Sequence, residues 1–145
     1  MFDIDKTDRP IGMFIFDIYI ASLKIREVAN SFRDVQTLLY DFRSWDSVIR
    51  EFEIIGEDSK YLLKDKLIEK EYQIVVDFRN YISHEYFGID KDRIWNLIHR
   101  DLNDFINIIL ELIKNIEPST KQELIETFIE DNYYLDFVVE KLKKL

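Results

Sequence analysis

A shortage of turn-forming residues constrains this chain most. Its 145 residues include three Gly and two Pro, where average usage for the two together is about 12%. A sandwich or barrel of short strands needs a turn about every 8–12 residues. Such turns draw on the backbone freedom of Gly and the fixed φ of Pro, which this sequence cannot supply. Long helices with few connections remain, and the apolar residues agree. Between Ser44 and Leu63, the residues Trp45, Val48, Ile49, Phe52, Ile55 and Leu62 recur at helical spacing and form one stripe, with Glu51, Glu53, Glu57 and Lys60 mostly off it.

The same periodicity predicts the other elements. Asp90 to Ile116 places Ile94, Ile98, Leu102, Phe105, Ile109, Leu112 and Ile116 on one face, a helix of about seven turns with Asp90 as its N-cap. Glu71 to Tyr86 carries Val75, Phe78 and Ile82, with Gly88 at the C-cap. The first helix runs from Pro10, suited to an opening turn, to about Asn30. After Glu117 the pair Pro118-Ser119 breaks the pattern, and two short helices follow over 119–130 and 132–143. The expected fold is all-α: an antiparallel bundle of four main helices with a short C-terminal helical appendage. It forms one domain over 1–145, with a core at 10–116 and an extension at 117–145 that is too small to fold alone. Gly56 inside a helix points to close helix packing, Trp45 and Trp95 to core or dimer interface, and His99 beside Arg100 to the surface.

Composition removes several function classes. Without cysteine there are no disulfides, thiolate nucleophiles or Cys-based metal sites, and a reducing cytoplasm fits. The start, with Asp3, Asp5 and Asp8, lacks the basic and apolar regions of a signal peptide. The longest apolar runs, such as Ile11 to Phe16, fall far short of the roughly 20 residues that span a bilayer. A cytoplasmic protein with no membrane contact is expected. The net charge of -9 argues against indiscriminate phosphate-backbone binding, so any nucleic-acid role rests on a local site. Gly12, Gly56 and Gly88 are too scattered for a phosphate loop. His84 and His99 alone cannot make a His-rich metal site, and no cofactor or metal is expected.

One segment carries chemistry. Arg79, Asn80, His84 and Tyr86 put a fixed positive charge, an amide, an imidazole and a phenol within eight residues. Arginine's planar fork suits a phosphate. Histidine can take a proton from a ribose 2′-hydroxyl, or return one to a leaving oxygen, without a metal. Together they suit a metal-free ribonuclease site. On a regular helix Arg79 and His84 lie about 140° apart, whereas Asn80 and His84 share a face. Either the helix tightens or ends near Gly88, or a symmetric dimer builds one cleft from both copies. The dimer cleft is the favoured reading. Tyr86, seven residues after Arg79, projects in nearly the same direction about 10 Å along the axis, so an anionic group on its oxygen could fold back over the arginine. The plain alternative for Arg79 and His84 is a surface ion-pair partner and a hydrogen-bonded imidazole.

At this cluster the sequence resembles a known family. The run Arg79-Asn80-x-x-x-His84-x-Tyr86-Phe87-Gly88-Ile89-Asp90, followed by Ile94-Trp95, is similar to the signature of the HepT-like proteins of the HEPN superfamily. Val48-Ile49-Arg50-Glu51-Phe52-Glu53-Ile54-Ile55-Gly56-Glu57 resembles the family's second-helix motif. The resemblance covers about residues 10–110. It departs at Asp58 and Ser59, which replace small residues, and in the added appendage.

The resemblance implies a helical homodimer that acts as the ribonuclease toxin of a type VII toxin-antitoxin pair on tRNA or mRNA. Arg79 and His84 would be catalytic and Asn80 supporting. The implied partner is an MntA-like minimal nucleotidyltransferase antitoxin, which would transfer AMP to Tyr86. Glu57 would hold an arginine across the helix pair. The rival readings are a non-catalytic HEPN module that binds RNA or a nucleotidyltransferase partner, and a purely structural helical dimer.

Overall fold

The structure is a computed structural model, and it describes residues 10–69, 73, 77–78 and 91–145. In chain order the described helices are α1 (Ile11–Asn30), α2 (Val35–Tyr40), α3 (Phe42–Lys64), α4 (Lys91–Asn96), α5 (Leu102–Lys114), α6 (Pro118–Asp131) and α7 (Asp136–Lys143). The fold is all-α, as the scarcity of turn residues requires. Most of the 71–86 helix expected from the sequence, with the Asp90 and Gly88 caps, lies outside the described residues.

The central element is α1, which packs along α3 and also touches α5, α6 and α7. Its apolar residues are spread round most of its circumference, and Phe14, Ile15, Phe16, Ile18, Ile20 and Ile25 are all buried, as expected for a helix with neighbours on several sides. α3 is amphipathic instead and buries Trp45, Val48, Phe52, Ile55 and Leu62 along one stripe. Phe14 stacks on Tyr61 of α3 with ring centroids 4.4 Å apart. Phe16 meets Phe128 of α6 at 5.3 Å. At Gly12 a Cβ would lie 2.9 Å from Leu124 Cδ1, so glycine lets α6 approach the start of α1 closely. Leu124, Phe128, Val138 and Leu142 join the apolar cluster built by α1, α3 and α5.

Side chains set the helix ends. Asp34 accepts the Thr37 backbone N–H at 2.9 Å and opens α2. These bonds from Thr37 hold its carboxyl below the usual range. Asp41 caps the start of α3 by accepting the Ser44 N–H at 3.1 Å. At the end of α3 the Leu67 N–H donates to the Leu62 carbonyl at 2.8 Å and the Lys66 N–H to Leu63 at 3.1 Å, the paired bonds of a Schellman stop. Lys66 takes the left-handed position of that stop, at φ 58°, which favours glycine. Lys66→Gly is therefore expected to stabilise the fold by up to about 1 kcal/mol, read as a rise in thermal midpoint.

Three sequence expectations change in detail. α2 leaves no periodic signal in the sequence, because its six residues are too few to show one. The expected break in the helical pattern falls at 115–117, and Pro118 itself starts α6 as its first residue, one position earlier than expected. The Glu117 carboxylate accepts from the backbone N–H groups of Ser119 and Thr120 at 3.1 and 3.0 Å. Hydrogen bonds from the side chains and backbone of these two residues bring the Glu117 carboxyl down to about 2. The last helix begins at Asp136 rather than at 132, since Asn132 turns the chain by donating from its side chain to the Phe128 carbonyl at 2.8 Å and accepting the Leu135 N–H at 2.9 Å.

The long 90–116 helix also has an interruption. A π-helical turn, Leu97–Asp101, joins α4 to α5, and the Leu102 N–H reaches back five residues to the Leu97 carbonyl. The sequence contains its cause. Ile94, Ile98 and Leu102 recur every four residues, and on a 3.6-residue helix that stripe drifts sideways. A wider turn with more residues keeps all three buried.

Candidate active site

The residues assigned chemistry from the sequence, Arg79, Asn80, His84 and Tyr86, lie outside the described residues. The chain is described on either side of them. Phe78, the residue before Arg79, is 2% exposed, and its ring sits 4.0 Å from that of Phe52 in the middle of α3. Asp77 N–H donates to the Gln73 carbonyl at 2.8 Å, a helical i→i+4 bond. On the far side Lys91 opens α4, and α4 packs against α2. Phe52 belongs to the Arg50–Glu57 motif and Phe78 adjoins the Arg79–Tyr86 motif, so the structure brings the two motif regions together through an aromatic contact in the core.

The rest of the second-helix motif is distributed round α3. Ile55 and Gly56 are buried. Glu57 is exposed and bonds Lys60 of its own helix at 3.3 Å. Glu51, read from its spacing as off the apolar stripe, is 8% exposed. Burial pushes its carboxyl up, with Lys24 and Arg50 acting in the opposite sense. The departure has a structural reason: the flank of α3 that carries Glu51 faces a cavity whose other walls come from α1 and the end of α6. No sequence periodicity within α3 reports a wall supplied by residues 128–132.

His99 differs from its expected surface setting. Its ring lies 4.2 Å from the Trp95 ring, and its Nε2 is shielded from solvent with no hydrogen bond among the described residues. Burial lowers its pKa, which favours the neutral imidazole. The residue lies in the π turn, where the Asn103 side chain donates to the His99 carbonyl at 2.9 Å. Trp45 is buried as expected, while Trp95 is half-buried against this imidazole. No group of three His, Asp or Glu positioned to hold a metal ion occurs among the described residues. Within the same residues, no helix is long and apolar enough to cross a membrane.

Comparison with known proteins decides the family. A family model described as ribonuclease HepT-like matches residues 18–112, a span that contains both motifs. The chain belongs to the ribonuclease HepT-like family. A Methanocaldococcus jannaschii protein named "Putative RNase MJ0127" is 31% identical over 120 residues, covering 80% of this chain and 98% of its own. A second from the same organism, "Putative RNase MJ1380", is 29% identical over 102 residues, covering 65% and 88%. No solved structure matches the chain. The HepT-like match ends inside α5, so α6 and α7 lie beyond the family model. Membership in a ribonuclease family supports RNA cleavage as the activity class, in agreement with the chemistry of the arginine and histidine.

Proposed function

We propose that this protein is a metal-independent endoribonuclease toxin, one domain per chain, working as a homodimer on tRNA or mRNA. The observation that carries the reading is the HepT-like match over 18–112, which encloses an arginine, an amide and a histidine suited to RNA transesterification. In this reading His84 takes the proton of a ribose 2′-hydroxyl, and the freed oxygen attacks the adjacent phosphorus. Arg79 donates to the phosphate oxygens and stabilises their growing charge, while Asn80 orients one of the two. The bond to the 5′-oxygen breaks and that oxygen leaves with a proton. With two copies in one cleft, one imidazole removes the first proton and the other supplies the second. The products are a 2′,3′-cyclic phosphate and a 5′-hydroxyl.

The same reading assigns Tyr86 as the control point. An MntA-like nucleotidyltransferase would move AMP from ATP to the Tyr86 oxygen and release pyrophosphate. The adduct's negative charge would pair with Arg79 and occupy the phosphate position. Intact mass measured after incubation with such an enzyme and ATP tests this assignment. The expected result is an AMP increment that maps to Tyr86, is absent from Tyr86→Phe, and coincides with loss of RNA cleavage. Cleavage that persists after full modification would remove the switch, and a protein that binds RNA without ever cutting it would favour a non-catalytic binding module.

A further inference from the structure

A net charge of -9 gives the chain little general attraction for a phosphate backbone, so an RNA substrate has to be held by something besides charge. Unpaired bases offer it, because every base has a flat face that stacks on an aromatic ring. The corner between α2 and α3 presents such rings. Tyr40, the last residue of α2, is 75% exposed, and Phe42, the first of α3, is 67% exposed. The Gln36 side chain donates to the Tyr40 hydroxyl at 2.6 Å. Asp41, the acid between the two rings, is engaged in capping α3 through the Ser44 N–H. Both rings therefore stand on helix ends that are held in place. The Arg43 guanidinium lies 5.7 Å from the centre of the Phe42 ring, within cation–π reach, and Arg43 is itself exposed. A ring face for a base beside a cation for its phosphate is the chemistry of a single-strand binding surface.

The corner belongs to the two helices that hold the ends of the motif segment. The chain enters that segment at Phe78, packed on Phe52 of α3, and leaves it at α4, packed on α2. Phe42 precedes Phe52 by about 15 Å along α3, and Tyr40 closes α2 itself. Both rings fall inside the span 18–112 matched by the ribonuclease family model. The other exposed aromatic pair among the described residues, Tyr133 and Tyr134, lies beyond that span, and its two rings meet edge-on. We propose that Tyr40 and Phe42 form a stacking platform for unpaired bases of the RNA substrate flanking the cleavage site, with Arg43 on an adjoining phosphate. The platform rests on the RNA-cleavage reading and adds to it a preference for single-stranded RNA.

Fluorescence anisotropy of a short end-labelled RNA, used single-stranded and as a duplex of the same sequence, tests the platform on the full chain carrying His84→Ala, which leaves the RNA intact. Tyr40→Ala and Phe42→Ala, each added to that protein, are expected to weaken single-strand binding about tenfold and to leave duplex binding unchanged. Phe42→Leu, which keeps an apolar side chain without a ring face, should lose as much as Phe42→Ala, whereas Phe42→Trp should keep full affinity. Arg43→Ala should reduce the slope of log Kd against log salt by about 1. Gel filtration beside each titration reads the oligomeric state. Absence of single-strand binding by the parent, unchanged affinity in Tyr40→Ala and Phe42→Ala, or full affinity in Phe42→Leu would each overturn the platform. So would a changed oligomeric state in both alanine variants, which marks the corner as a contact between copies. Binding is read apart from cleavage, so the two readings fail separately. Wild-type cleavage with unchanged affinity in the variants removes the platform alone, and ring-dependent binding by a protein that never cuts RNA removes the nuclease alone.

Discussion

His84→Ala is expected to lower RNA cleavage by about 10²–10⁴-fold, and Arg79→Ala by about 10²–10³-fold, with the thermal midpoint nearly unchanged. The two losses have different origins. Without His84 the 2′-hydroxyl keeps its proton and attacks as a poor nucleophile, so cleavage remains weak even at saturating RNA. Without Arg79 the charge that builds on the phosphate oxygens is unopposed. Lys at position 79 restores charge but not the two parallel donors of the guanidinium, so Arg79→Lys should recover only part of the rate. Gel-resolved cleavage of an end-labelled RNA, measured beside a melting curve of each variant, checks these outcomes. A folded His84→Ala protein that cuts at the wild-type rate would remove the proposed mechanism.

The largest expected loss of stability comes from Phe52→Ala. The Phe52 ring is fully buried and faces the Phe78 ring at 4.0 Å. Truncating such a ring costs about 3–5 kcal/mol from lost transfer energy and the cavity left behind, which should lower the melting temperature by roughly 10–15 °C. Phe16→Ala should cost a similar amount, because Phe16 is equally buried but pairs with Phe128 on the other side of α1. Their activities should separate. At a temperature where both variants are folded, Phe52→Ala should lose RNA cleavage because it unseats Phe78, the neighbour of Arg79, whereas Phe16→Ala should keep it. Equal activities in the two folded variants would show that the Phe52–Phe78 contact does not position the site.

Much of this architecture is legible because periodicity within one helix reports its buried face. Trp45, Val48, Phe52, Ile55 and Leu62 are all buried on α3, as their spacing requires. What escapes is structure that depends on a second element. Glu51 is buried because α1 and the end of α6 wall in its flank, and nothing within α3 signals that. The π turn was written in the four-residue steps from Ile94 to Leu102, yet it reads as an ordinary helix until the drift of that stripe is followed. His99 shows the same limit: its pattern suits a surface position, but its ring packs against Trp95 and its Nε2 is shielded from solvent. The motif residues are another case. Their chemistry follows from residue type and spacing, whereas Arg79 and His84 do not converge on one regular helix face, so their assembly rests on the proposed dimer.

The most direct test of the central claim is the chemistry of the RNA ends made by the purified protein in excess EDTA. The account predicts fragments with 2′,3′-cyclic phosphate and 5′-hydroxyl ends, formed without added metal and absent with His84→Ala. Fragments with 3′-hydroxyl ends, or cleavage that appears only when a divalent metal is restored, would contradict it.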